Sequence, residues 1–318
     1  MNATVSRGSC RGFETIVLEN AHMRAVIIPE LGGRVWELED RVRERQWIWH
    51  REDVPLRAST MGDVYDDVWA GGWEELFPND APGKFEGRDL PDHGEWWTMK
   101  WSVVDTSSRS MASACLSATS TVVKATCTKE FRLANDTATL LVCYRIRSNE
   151  VQPFHFLFKQ HLPILITSDC RLLLPGGRAQ AVDPSFSTIL KRGDEFDWPL
   201  VGKGDEGTDL RVIPDRSINA KDFLYVRDLP EPYCGVEDLK HGASIRMNFD
   251  YTKLPYVWLF LTYGGWRDLY TAVLEPCSNL PKDLSEAVRL GQSARLEPGQ
   301  EFKTTVAATL AGVEETRI

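Results

Sequence analysis

The stretch Thr137-Ala138-Thr139-Leu140-Leu141-Val142-Cys143-Tyr144-Arg145-Ile146-Arg147 sets the pattern for the whole chain. Ala138, Leu140, Val142, Tyr144 and Ile146 fall on one side of an extended backbone, while Thr139, Arg145 and Arg147 fall on the other. Alternation with a period of two is the mark of a strand with one buried face. Residues 123–133 repeat it, with Val123, Ala125, Cys127, Phe131 and Leu133 set between polar neighbours. So do Phe302, Thr304, Val306, Ala308 and Leu310 near the end. Further strand candidates cover residues 13–19, 23–29, 34–39, 96–105, 154–166, 244–249, 256–263 and 269–275. Helix signals are few. Residues 281–290 begin with a proline and are followed by Gly291, and residues 63–70 suggest a second short helix. Many strands with almost no βα alternation predict an all-β chain, a large antiparallel β-sandwich with few short helices. Residues 191–222 are the least patterned and read as a long surface excursion. No linker or convincing repeat divides residues 1–318, so a single domain is expected. Gly71-Gly72-Trp73 and Gly264-Gly265-Trp266 are too short to establish duplication.

Composition narrows the function. The 318 residues carry a net charge of −9, which argues against a sequence-independent binder of phosphate backbones, so no nucleic-acid partner is expected. No run of 18 apolar residues is present, and no membrane association is expected. The opening residues lack the apolar stretch of a signal peptide. Seven scattered cysteines without a CxxC pair fit free thiols in a reducing compartment, so the cytoplasm is the expected location. There is no HExxH, GxSxG or GxxxxGK[ST], so a histidine metal site, a hydrolase elbow and a P-loop have no support. Neither metal nor cofactor is expected. The eleven tryptophans offer apolar faces on which a sugar ring can rest, although aromatic residues also dominate ordinary cores.

Three segments carry candidate chemistry. His93 lies in Pro91-Asp92-His93-Gly94, on a turn bracketed by proline and glycine. In Phe154-His155-Phe156-Leu157-Phe158-Lys159-Gln160-His161, a continuous strand would bury three phenylalanines on one face. His155, Lys159 and His161 would share the opposite, polar face. Glu275 closes an apolar strand just before Pro276, where partial desolvation raises a carboxyl pKa toward values useful in proton transfer.

In this order, these segments resemble the galactose mutarotase-like superfamily, specifically its aldose 1-epimerase branch. The resemblance extends from Leu18-Glu19-Asn20 and Leu31-Gly32-Gly33-Arg34-Val35 through Gly72-Trp73-Glu74-Glu75-Leu76-Phe77-Pro78-Asn79. It continues over Asp92-His93-Gly94 and Lys159-Gln160-His161 to Leu274-Glu275-Pro276 and Leu296-Glu297-Pro298-Gly299-Gln300. It implies a galactose mutarotase-like supersandwich that interconverts the α and β anomers of a free sugar. It assigns Glu275 as general base, His161 as general acid and His93 as a residue that holds the sugar. Lys159 and His155, from the polar strand face, and Glu75 and Asn79 are further candidates for substrate contact.

The chemistry needs no more than these groups. A proton leaves the anomeric hydroxyl, another reaches the ring oxygen, and the open aldehyde form recloses on its other face. A positioned acid and base each contribute typically about 10²–10⁴-fold. The rival readings are a non-catalytic carbohydrate-binding protein on the same fold, and a polysaccharide lyase or glycoside hydrolase on a related sandwich. Which sugar is used, and in what oligomeric state, the sequence leaves open.

Overall fold

All pairings within the three large sheets are antiparallel, as the alternating pattern requires. The computed structural model describes residues 2–183, 185–190, 195–202 and 207–313. A five-stranded meander runs from Thr4–Cys10 to Arg45–Gln46. An eight-stranded sheet is centred on Thr139–Ser148, flanked by Ala125–Ala134 and Glu301–Gly312. The seven-stranded sheet orders its inner strands Arg178–Ala181, Ala220–Arg227, Tyr256–Tyr263, Tyr270–Cys277 and Lys159–Leu165, with Glu74–Leu76 at the edge beside the last. Phe131, Val142 and Ile146 of the eight-stranded sheet share one buried cluster with Leu162, Leu259 and Leu274 of the seven-stranded sheet. Leu18 and Ile27 of the meander join it. The chain is a β-sandwich whose core lies between its large sheets.

Among the described residues, α-helix is confined to the two expected places. Leu284–Arg289 begins after Asp283, whose side chain accepts from the Glu286 amide at 2.8 Å, and Gly291 follows it with φ +67°. Tyr65–Val68 is a single turn.

Three expectations are corrected. Residues 96–105 are not one strand: Trp96–Thr98 form a 3₁₀ turn, and the strand is Ser102–Ser108. Trp96 and Trp97 are both buried, which consecutive residues of a strand with one solvated face cannot be. Residues 154–166 break at Leu157-Phe158. Phe154–Phe156 pairs with Ala294–Leu296, while Lys159–Leu165 enters the seven-stranded sheet. Of the excursion at 191–222, residues 191–194 and 203–206 lie outside the described residues. The remainder is not all surface: Leu210 and Ile213 are buried, and Ala220 opens an inner strand of the seven-stranded sheet.

Candidate active site

The outer face of the seven-stranded sheet forms the floor of a pocket of about 220 Å³. Glu275 and His161 stand on adjacent strands between the pairs Lys159↔Cys277 and Leu162↔Leu274, so the register sets them opposite each other. His161 Nε2 lies 3.5 Å from Glu275 Oε1. One strand further, Trp258 pairs with Glu275, and on the other side Glu74 pairs with His161. A single row across the sheet thus carries Trp258, Glu275, His161 and Glu74. Two residues along, Lys159 places its ammonium 2.9 Å from Glu275 Oε1, against Asp80 and 4.1 Å from the centre of the Trp258 ring.

Loops supply the walls. Tyr65 hangs over His161, its ring 5.6 Å away and nearly perpendicular, and Trp69 approaches the same imidazole edge-on. The Tyr65 hydroxyl donates to Glu74 at 2.5 Å, and Glu74 in turn pairs with Arg34 at 2.7 Å. Its one proton being so used, the Tyr65 oxygen accepts from His161 Nδ1, 3.3 Å away. That contact leaves Nε2 as the unprotonated nitrogen of a neutral imidazole, facing Glu275.

His93 stacks on Tyr65, with ring centres 3.9 Å apart, and its ring lies 6.4 Å from that of His161. Its φ of +58° lies in the left-handed region, which an L residue adopts only where its surroundings enforce it. Here they do. The His93 amide donates to Asp80 O at 2.8 Å, and a Cβ on the next residue, Gly94, would stand 2.3 Å from Phe77 O. Asp92 accepts from the Tyr65 amide and from His93 Nδ1, tying the turn to the Tyr65–Val68 segment.

The electrostatics follow from burial. Glu275 is pushed up to about 7 by desolvation, which outweighs the opposing pull of Lys159. His161 is held well below its ordinary value by burial and by the charges of Lys159, His93 and Arg34. Lys159 is raised: burial works against its charge, but the Asp80 and Glu275 carboxylates prevail. His93 is also raised, its bond to Asp92 and the field of Asp80 overcoming desolvation. The free site therefore holds a neutral His161 and a carboxyl poised to gain or lose a proton near neutrality. That differs from a standing imidazolium–carboxylate pair.

Of the residues singled out from sequence, Glu275, His161, His93 and Lys159 line this pocket. Three others are placed elsewhere. Glu75 points from the opposite face of its strand into the core, where it accepts from Lys129 and from Tyr144 OH. Alternation gives the site-facing position to Glu74 instead. Asn79 is fully buried and spends its amide on the carbonyls of Ala81 and Pro91, and the pocket-lining neighbour is Asp80. His155 belongs to the separate strand Phe154–Phe156 and bonds to Ser293 Oγ at 2.8 Å. Tyr65, Trp69, Asp80 and the aromatic residues Phe186, Phe223, Phe260 and Trp266 were not foreseen at the site.

A scan of the sequence against known family profiles finds no match. Solved structures do match. A galactose mutarotase-like protein from Clostridium acetobutylicum superimposes with a TM-score of 0.68 at 13% identity, over 98% of this chain and 99% of that one. This chain has the galactose mutarotase-like fold. The Slr1438 protein from Synechocystis sp. PCC 6803 aligns with a TM-score of 0.70 at 18% identity, over 94% and 96% of the two chains. A galactose mutarotase related enzyme from Lactobacillus acidophilus gives 0.67 at 13%, over 95% and 98%. No helix among the described residues is long and apolar enough to cross a membrane.

Proposed function

We propose that the chain is an aldose 1-epimerase that interconverts the anomers of a free sugar within a single mutarotase-like domain. The observation that carries this reading is the pair Glu275 and His161, 3.5 Å apart on the floor of an aromatic-walled pocket. That spacing is beyond a good hydrogen bond, so each group is free to address a substrate oxygen rather than its partner.

Ring opening breaks the C1–O5 bond, moves a proton from O1 to the protein and delivers one to O5. The pair works when it carries one exchangeable proton between its two members. With Glu275 protonated and His161 neutral, Glu275 donates to O5 while His161 Nε2 accepts from O1. With the proton on His161, Glu275 accepts from O1 and the imidazolium donates, which is the assignment implied by the family resemblance. Each half-reaction leaves the pair in the alternative form, and closure of the rotated aldehyde reverses the transfers. Burial, which raises Glu275 and lowers His161, favours the first form in the free site against the pull of Lys159 on the Glu275 carboxylate. His93, anchored to Asp92, which favours its protonated form, supplies a donor for a neighbouring hydroxyl.

The test is anomeric exchange followed by NMR on a panel of monosaccharides. Saturable acceleration over buffer supports the proposal. A sugar that binds without acceleration would make the chain a carbohydrate-binding protein instead.

A further inference from the structure

Beyond the acid–base pair, the pocket continues along a wall that ring opening does not use. Phe186, Phe223, Phe260 and Trp266 are all half-buried, and each lines the pocket. Their rings touch one another at an angle: Phe186 lies 4.9 Å from Phe260 and tilted by 39°, Phe260 5.1 Å from Trp266 at 82°, and Phe223 5.8 Å from Phe260 at 67°. Register fixes their place. Phe260 pairs with Val273, two residues along the strand from Glu275, and Phe223 lies one strand further out. At about 3.4 Å per residue and 4.8 Å per strand, the surface begins roughly 8 Å from Glu275 and extends away from it.

The Trp266 end is built rather than incidental. Trp266 follows Gly264-Gly265, which press against the backbone of the segment before Ala220–Arg227. A Cβ on Gly264 would stand 2.6 Å from Arg216 O, and one on Gly265 would stand 2.6 Å from Asn219 O. Only glycine permits this approach, and Gly264 has φ +90°. Arg267 then lies over the Trp266 ring at 5.3 Å and reaches Asp67 at 2.8 Å. The turn is thereby joined to the Tyr65–Val68 segment on the other side of the pocket. Asp183 and Lys282 line the same pocket and supply polar groups for hydroxyls beside the aromatic surface.

The part of each ring left open faces the pocket, where the apolar face of a ligand can cover it. The geometry points to a second sugar subsite, and we propose that the substrate is a reducing disaccharide or longer saccharide. Its free anomeric ring would sit over Glu275 and His161, and its next ring would lie against the apolar wall of Phe260, Phe186 and Trp266. This rests on the aldose 1-epimerase reading for the reaction, but the second subsite stands or falls by binding alone.

The experiment uses the full chain and calorimetry with matched pairs: glucose against maltose and cellobiose, galactose against β-1,4-galactobiose, and mannose against β-1,4-mannobiose. For at least one pair the disaccharide should bind about tenfold or more tightly than its monosaccharide, the scale of one ring packed against aromatic side chains. Trp266→Ala should remove that advantage while leaving monosaccharide affinity within about twofold. Phe186→Ala, whose ring lies 6.3 Å from that of Trp266, provides the same test should the Trp266 turn not tolerate substitution. Equal or weaker disaccharide binding for every pair overturns the subsite, as does an advantage that both variants retain. Tighter disaccharide binding without anomeric exchange upholds the subsite and rejects the epimerase reading.

Discussion

The Tyr65 hydroxyl stands between Glu74 and His161, donating to the carboxylate at 2.5 Å and lying 3.3 Å from Nδ1 of the imidazole. Arg34 fixes the far side of Glu74 and also donates to Gly71 O, so the chain Arg34–Glu74–Tyr65–His161 is anchored in backbone. Tyr65 is a positioning residue: through it, the buried ion pair selects which nitrogen of His161 faces Glu275.

Tyr65→Phe removes that selection without opening a large cavity. Exchange should slow by about tenfold, equivalent to one hydrogen bond of roughly 1.4 kcal/mol, with the half-saturating sugar concentration nearly unchanged. Nitrogen NMR of the His161 ring should show a mixture of tautomers in place of one. A single unchanged tautomer would show that Tyr65 only packs.

The pH profile follows from the same pair. As pH rises through about 7, Glu275 loses the proton that the pair needs, so exchange should decline on the alkaline side. On the acid side it should decline once His161, held low by burial, gains a second proton. Asp80 raises Glu275 and Lys159 lowers it, so the two neighbours shift the alkaline limb in opposite directions. Asp80→Asn should move that limb to lower pH and Lys159→Met to higher pH. Rate–pH curves for the three proteins check this. Shifts of the same sign would contradict the assignment of the limb to Glu275.

Glu75 should matter to stability rather than to sugar binding. Its carboxylate neutralises Lys129, which is fully buried, donates to Gly32 O and lies 4.4 Å from the centre of the Trp101 ring. Glu75→Ala leaves that cation unpaired and should cost about 3–5 kcal/mol in denaturant unfolding. The affinity of the remaining folded protein for sugar should be unchanged. A loss under about 1 kcal/mol, or a weakened affinity, would return Glu75 to the site.

The contrast between Glu74 and Glu75 shows what sequence reading could reach. Strict alternation exposed most strands, because a half-buried strand must repeat every second residue. Lys159 and His161 were placed on one polar face by the same rule. The phase of a three-residue strand such as Glu74–Leu76 is not readable in this way, since both its glutamates are buried and each has its own cation. His155 was carried onto the face of His161 by assuming a continuous strand, and the break at Leu157-Phe158 undoes that assumption. Tyr65, Asp80 and Phe186 come from short or irregular segments whose direction depends on tertiary contacts, so no periodicity announces them. Gly264-Gly265-Trp266 was visible as a motif, but its meaning lies in the backbone it touches, about 45 residues earlier in the chain.

The central claim, that Glu275 and His161 perform proton transfer on a bound sugar, is tested most directly by Glu275→Gln. The measurement is the anomeric exchange rate by NMR on a sugar that the wild-type protein demonstrably exchanges, with affinity measured in parallel. The substitution keeps shape and removes the titrating group, so exchange should drop by about 10²–10⁴-fold, or roughly 3–5 kcal/mol, while the sugar still binds. Exchange near the wild-type rate in Glu275→Gln, with binding intact, would contradict the account.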